Sequence, residues 1–394
     1  MKTVLLAWEL GRGLGHVFTI RRIAARLKLH GLRTVAAVGN LASIGVLRGT
    51  CDDAVQAPAW PLVRQSAAQR AAQSSATLND ILSSAGLADT AAVHGLLAAW
   101  DDIFTRLQPQ LVVADFAPIA ALAARGRIPL MQVGNGYTLP PDAMRRFPPL
   151  HRKMPPQWNE EATLAAVNQA AKSLGRTELA RLPQLFSGDA RLVQTFALLD
   201  PYDLQRLEPV SGPLIDPPPV GRSADAATIF VYLSGGYDVP ESLPGALAPF
   251  AASVRVHAPA MSSAQLRELA SGGARIDNEP VPLRDVLASA RLVVHSGGSG
   301  VAAEALAAGV PQIILSSQIE QTLNGQALQR AGVGALVETY DPSNHVSSDL
   351  IAALWADETL AARAAEVGRW HREYLSDKDV ALECERASLA LLGE

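Results

Sequence analysis

The chain has 394 residues, 48% of them hydrophobic and 18% charged, with a formal net charge of -4. That length gives room for two domains of ordinary size, and an acidic balance without any basic run excludes a nucleic-acid partner. Cys51 and Cys384 are too few and too far apart for a metal knuckle and suit a reducing compartment, and no stretch reaches the ~18 apolar residues of a membrane span.

Residues Thr3–Trp8 read as a buried first strand, not a leader, because the apolar run passes into Glu9 and Gly11 without a cleavage-like site. The expected location is therefore the cytoplasm. In Glu9-Leu10-Gly11-Arg12-Gly13-Leu14-Gly15-His16 the glycines run G-x-G-x-G. This is the wrong spacing for a dinucleotide fingerprint, and no acid ends the next strand, expected over 34–38. The turn instead places His16 at the start of a helix expected over 17–30. Val17, Ile20, Ile23, Ala24 and Leu27 share one face of it, and Gly31 stops it. A helix N-terminus disfavours an imidazolium, and a general base must be neutral, so His16 is a candidate base. The alternative is a structural histidine beside a glycine turn.

Leu111–Asp115 is the next informative strand, and Asp115 ends it as the glycine turn ends the first. An aspartate there either bonds the far ring nitrogen of His16, fixing its tautomer, or caps a helix expected over 116–125. A further strand is expected over 129–133. Alternation of short apolar runs and helices implies a parallel sheet covered on both faces.

The pattern breaks over 139–200, which is rich in Pro and Arg and is expected to hold loops and irregular helices. Two proline clusters come next, Glu208-Pro209-Val210-Ser211-Gly212-Pro213 and Asp216-Pro217-Pro218-Pro219. Proline fixes φ and removes a donor, so no regular element crosses them. The alternation then restarts with strands over 228–233, 254–257, 292–295 and 312–315. The expected organisation is a first domain over 1–207, a linker over 208–222 and a second domain over 223–376. A terminal helix over 377–394 is expected to return to the first domain. Two doubly wound parallel-sheet domains facing each other leave a cleft at their strand ends as the expected site.

One segment of the second half stands out: His295-Ser296-Gly297-Gly298-Ser299-Gly300-Val301-Ala302-Ala303-Glu304. An apolar strand feeds a glycine turn that opens a helix, and the N–H groups and dipole of such a helix start hold anions. Ser296 and Ser299 add hydroxyl donors. A plain strand-to-helix turn is the alternative.

The flanking residues resemble the donor signature of family 1 glycosyltransferases, the UDP-glycosyltransferase group of GT-B fold, in its bacterial natural-product branch. The matching pieces are Ser296-Gly297-Gly298, Glu304-Ala305-Leu306, Gly309-Val310-Pro311, Glu320-Gln321, Leu323-Asn324 and Ala331-Gly332-Val333-Gly334. The resemblance implies two Rossmann-like domains, with Glu304 on the ribose hydroxyls and Glu320-Gln321 on the donor sugar. It assigns the diphosphate to Ser234, Gly235 and the turn Ser296, Gly297, Gly298, Ser299, Gly300, and the nucleobase to the main chain at Val281. Where many members carry a diphosphate histidine this chain has Ser296, with His295 one place earlier. Alternation points the two to opposite faces, so Ser296 is the phosphate candidate and His295 a buried structural one.

In the first half, Gly13-Leu14-Gly15-His16 and Ala114-Asp115-Phe116 match the family's base dyad. The reaction this resemblance implies is an inverting transfer from a UDP- or dTDP-sugar to a hydroxyl of a small acceptor. No cofactor is implied, since the nucleotide sugar is a co-substrate, and no metal is implied. The one D-x-D, Asp377-Lys378-Asp379, reads as a solvated helix start. Acceptor-lining candidates are Trp60, Asn135 and Tyr137. A GT-B-like nucleotide-sugar epimerase and a non-catalytic nucleotide-sugar binder remain as alternatives. The acceptor and the oligomeric state are not legible.

Overall fold

The computed structural model describes residues 1–11, 14–61, 76–150, 154–215, 221–223, 225–233, 239–341 and 343–394. Its strands form two six-stranded sheets. The first contains β1 (Thr3–Trp8), β2 (Arg33–Val38), β3 (Asp53–Gln56), β4 (Leu111–Asp115), β5 (Leu130–Gly134) and β6 (Ala190–Val193), in the order β3-β2-β1-β4-β5-β6. The second contains β7 (Thr228–Tyr232), β8 (Val254–His257), β9 (Arg275–Ile276), β10 (Ala290–His295), β11 (Gln312–Ser316) and β12 (Gly334–Glu338), in the order β12-β11-β10-β7-β8-β9. Every pairing is parallel.

Chain order and strand order are thus related in the same way in both sheets. The direction of winding reverses between β1 and β4 in one and between β7 and β10 in the other. At those reversals Trp8 lies beside Asp115, and Tyr232 beside His295. Open parallel sheets bind ligands beyond the strand ends at such a point. The central strands are buried throughout, as their unbroken apolar runs require.

The helices are α1 (Gly15–Lys28), α2 (Leu78–Leu82), α3 (Thr90–Leu107), α4 (Pro118–Ala124) and α5 (Glu160–Ser173) before the proline clusters. After them come α6 (Leu243–Leu247), α7 (Ser263–Ser271), α8 (Leu283–Leu287), α9 (Ser299–Ala308), α10 (Ile319–Arg330), α11 (Ser348–Ala356), α12 (Glu358–Ser376) and α13 (Val380–Leu392). Contacts divide the chain into two compact units. One comprises Met1–Gln194, Tyr202–Ser211 and Val380–Glu394; the other comprises Thr195–Pro201 and Gly212–Asp379.

The first unit is therefore closed by the last helix. Val380, Cys384 and Ser388 of α13 are buried. Its Glu385 bonds Arg26 Nε at 2.7 Å and His30 Nε2 at 2.8 Å, and Lys2 Nζ donates to the Leu392 carbonyl at 2.7 Å. In the second unit α9 sits deep because its inner face is alanine, with Ala302, Ala303, Ala305, Ala307 and Ala308 all buried. It ends on Gly309 in the left-handed region, where Gly368 of α12 crosses so closely that a Cβ on it would lie 2.5 Å from the Gly309 Cα.

Three local expectations need revision. The helix after Asp115 begins at Pro118 instead of 116, because Phe116 takes a positive φ of 46° and breaks the run. The 139–200 stretch is more regular than expected and contains α5 and β6; both carry charges along an apolar stripe, which hides their period. The terminal helix expected from Asp377 starts at Val380, because Asp377 caps the end of α12. Among the described residues no single helix is long and apolar enough to cross a membrane.

Candidate functional site

In the first unit the site forms where β1 and β4 end. His16, the second residue of α1, places Nδ1 3.0 Å from Asp115 Oδ1; the two side chains are 14% and 4% exposed. The first turn of α1 contributes no acid of its own, so the carboxylate beside its N-terminus is that of Asp115. Aromatic rings fix the imidazole plane. Trp8 stacks at 5.4 Å between centroids and Phe116 at 6.2 Å, each 20° from parallel. Gly11 completes the cage. Its φ is +98°, and a Cβ there would come within 2.4 Å of His16 Nε2, so only glycine lets the loop pass that nitrogen.

Phe116 in the left-handed region is a strained conformation for a bulky residue, of the kind that clusters at functional sites. Its carbonyl accepts from Leu10 N at 3.2 Å, which ties the turn after β4 to the turn after β1.

Sequence reasoning passed over Glu9. This residue is buried, and its carboxylate accepts four hydrogen bonds. Oε1 accepts from Trp100 Nε1 and from Ala120 N at 2.7 Å; Oε2 accepts from Trp60 Nε1 at 3.2 Å and Ile119 N at 3.1 Å. Burial pushes its pKa up to about 7, against the pull of those four donors. An acid placed directly after a wholly apolar strand was the only signal in the sequence.

The acceptor candidates are placed in three different settings. Trp60 is buried and its indole is tied to Glu9. Tyr137 is buried with its ring 6.4 Å from Phe116. Asn135 builds its own turn, its Oδ1 accepting from Thr138 N at 2.9 Å. Residues 62–75, just after Trp60, lie outside the described residues.

In the second unit His295 is 0% exposed at the end of β10. Gly297 N donates to His295 Nδ1 at 3.0 Å, so the ring proton sits on Nε2, which faces Gln312 Oε1 at 2.9 Å. Burial pulls this imidazole down to about 4 and keeps it neutral. His295 thereby fastens the glycine turn from inside and takes the Gly297 N–H for itself. Gly297 has φ +86° and no room for a Cβ, which would meet Ile314 Cγ2 at 2.6 Å. A Cβ on Gly298 or Gly300 would meet nothing within 4 Å, so the open side of the turn lies there. Gly298 is the N-cap of α9, whose first turn carries no acid. That leaves Ser296, Gly298, Ser299 and Gly300 at a helix start suited to an anion.

Around this turn the residues act in pairs. Asn324 Nδ2 donates to the Gly297 carbonyl at 2.9 Å and to Ser299 Oγ at 3.1 Å, and Ser299 Oγ donates to Glu320 Oε1 at 2.8 Å. Gln321, by contrast, is 1% exposed and its Oε1 accepts from Ser317 N at 2.8 Å. The two members of the acid-amide pair therefore have different surroundings. Glu304 on α9 is half-buried, and its charge adds to burial in pushing the Tyr232 hydroxyl up. Val281, like Tyr232, packs against the core that contains Phe230, Val286 and Leu287. Ser234 and Gly235 lie outside the described residues. Among the described residues no group of three or more His, Cys, Asp or Glu side chains is placed to hold a metal ion.

Comparison with known proteins bears on both units. Residues 241–384 match the family described as the erythromycin biosynthesis protein CIII-like C-terminal domain. Over 288 residues the chain is 29% identical to a PGL/p-HBAD biosynthesis glycosyltransferase of Mycobacterium tuberculosis, covering 64% of each protein. The chain thus matches just under two thirds of the length of that relative. Among solved structures, the calicheamicin glycosyltransferase CalG4 superposes with a TM-score of 0.69 at 18% identity, covering 100% of this chain and 98% of that one. Spinosyn rhamnosyltransferase SpnG complexed with thymidine diphosphate gives 0.63 at 17% identity, covering 98% and 100%. The likeness to these structures is one of fold: two Rossmann-like parallel-sheet domains of GT-B type.

Proposed function

We propose that the chain is an inverting, metal-independent glycosyltransferase of the cytoplasm, moving a sugar from a UDP- or dTDP-sugar to a hydroxyl of a small acceptor. The observation that carries the reading is the 3.0 Å contact between His16 Nδ1 and Asp115 Oδ1 at the winding reversal of the first sheet. It fits a base whose proton-accepting nitrogen is Nε2 and whose tautomer is held by the carboxylate.

In the proposed step His16 Nε2 takes the acceptor's hydroxyl proton. The acceptor oxygen bonds to the anomeric carbon, and the bond from that carbon to the diphosphate oxygen breaks on the opposite side, inverting configuration. The nucleotide diphosphate leaves with the electron pair. Asp115 stabilises the imidazolium that forms. Ser296 and the N–H groups at the α9 N-terminus, that of Ser299 included, stabilise the charge growing on the diphosphate, while the Ser299 hydroxyl is held by Glu320. Glu304 holds the ribose, Glu320 a sugar hydroxyl, and Gln321 shapes the loop at Ser317. Ser234, Gly235 and the main chain at Val281 complete the donor contacts, and Trp60, Asn135 and Tyr137 belong to the acceptor side. Support comes from the matched family over 241–384, from the glycosyltransferase names of the relatives, and from the nucleotide in the SpnG complex.

The test is incubation with a panel of UDP- and dTDP-sugars and hydroxylated acceptors, read by mass spectrometry. A glycosylated acceptor of inverted anomeric configuration is expected. Sugar isomerisation without an acceptor would show an epimerase instead, and tight nucleotide-sugar binding without turnover would show a binding protein.

A further inference from the structure

We propose that Glu9 is the positioning residue of the His16–Asp115 pair, capping the helix after Asp115 so that the Asp115 carboxylate is kept for the histidine. The proposal rests on the transferase reading for its catalytic consequence, and on geometry alone for the positioning itself.

Helix α4 starts within three residues of Asp115, and its N-cap, Ala117, has no side chain able to accept a hydrogen bond. Pro118 at its first position lacks an N–H, so Ile119 N and Ala120 N are the first helical donors in need of a partner. A side chain at an N-cap serves these two positions. Here Glu9 serves both, one with each carboxylate oxygen, from the end of β1. Asp115, the nearest acid in sequence, is turned to His16 instead. The strained φ of Phe116 and the bond from Leu10 N to the Phe116 carbonyl hold the two turns in that arrangement.

The chemistry of the other two donors agrees. Trp60 and Trp100 fill the second acceptor site on each oxygen, so four N–H groups point at one carboxylate. Four donors favour the ionised form, because a protonated acid would aim its O–H at an N–H, and they oppose the burial that pushes the pKa up to about 7. A buried carboxylate is costly to keep charged. A glutamine would fill the same space without that cost, but it would turn an N–H₂ toward the donors of the pocket. With the cap lost, Asp115 becomes the nearest acceptor for the helix start and is drawn away from His16.

Glu9→Gln tests this in the full chain with two readouts. The His16 ring resonances, titrated by NMR without substrates and assigned with His16→Gln, are expected to shift to a pKa lower by about 1 unit as the carboxylate contact weakens. With donor and acceptor present, kcat is expected to fall about 10- to 100-fold while the Kd for the nucleotide stays within about twofold. Adding Ala117→Ser, which supplies a local cap, is expected to restore both. A purely structural Glu9 predicts a lower Tm with an unchanged His16 titration, and that result would overturn the proposal. Should Glu9→Gln fail to fold, Trp100→Phe removes one donor and keeps the cap. His16 titration and turnover are then expected to be unaltered, and a shift there like that expected for Glu9→Gln overturns the assignment to the cap. The titration uses no substrate, so it decides the positioning role even if no transfer activity is found.

Discussion

His16, at the start of α1 after β1, and His295, at the end of β10, lie at the winding reversals of two sheets wound in the same order, yet their surroundings are opposite. His16 meets a carboxylate, is flanked by aromatic faces and keeps 14% of its side chain exposed. His295 meets an amide oxygen and a backbone N–H and has no exposure at all. A carboxylate partner favours a ring that gains charge, and burial among neutral groups forbids it. Topology brings a residue to the strand end. The partner and the access to water then decide whether it moves a proton or fastens a turn.

The sharpest way to break this contrast is to remove His16. His16→Ala is expected to lower kcat by on the order of 10²–10⁴ with nucleotide Kd unchanged. Asp115→Asn is expected to impair turnover as well, and the double variant should match His16→Ala alone, because the carboxylate then has nothing to hold. Steady-state kinetics with calorimetric nucleotide binding measure all three. Near-normal turnover in folded His16→Ala would make the two histidines alike.

The next effect is one of stability, and its sign differs between the units. His295 is held down to about 4, below its unfolded value, so its contribution is complete above pH 6.5 and is lost as pH falls toward 4. Glu9 is held up at about 7, so its contribution is present below pH 4.5 and is lost as pH rises toward 7. Each effect is at most about 3 kcal/mol. Urea unfolding from pH 4.5 to 7 should show the advantage of the parent over His295→Gln growing, and that over Glu9→Gln shrinking. Slopes of the same sign would refute the assignment of one of the two buried groups.

Two smaller effects sharpen the donor side. Glu304→Ala is expected to raise the donor KM about tenfold and leave kcat nearly unchanged, as for a contact equal in ground and transition states. An unchanged nucleotide Kd would show the donor register to be displaced. The smallest effect expected is none: initial rates in excess EDTA should equal those in Mg²⁺. Activity lost to EDTA and restored by Mg²⁺ would refute the metal-free step.

The strands and the two residues of the proposed base pair were legible as positions because each lies in, or follows, a short apolar run, a signal contained in a few neighbouring residues. His16 and Asp115 are themselves separated in sequence, but each carries its own local mark. Glu9 carries one too, and its meaning is not local. Its partners Trp60, Trp100, Ile119 and Ala120 come from three later segments, and only the folded chain brings them to one carboxylate. The same holds for His295, whose tautomer depends on Gln312 across the neighbouring strand, and for Gln321, whose amide turns toward Ser317. Phe116 shows a further limit: nothing in a phenylalanine announces a positive φ, so the start of α4 was misplaced by two residues.

The seating of α13 on the first unit has a bearing on how the chain is made. The polypeptide lays down both strands of the His16–Asp115 site, then the bulk of the second unit over Gly212–Asp379, and only afterwards the helix whose Glu385 bonds Arg26 and His30. Order of synthesis and order of completion are therefore reversed. The second unit can reach its final packing while the first still exposes the apolar surface that Val380, Cys384 and Ser388 will cover. Vectorial folding from the N-terminus, the usual course for multidomain chains, leaves that surface uncovered until Val380–Leu392 has been made. A chain interrupted before Val380 would then fail first in the unit made earliest, the one that carries His16.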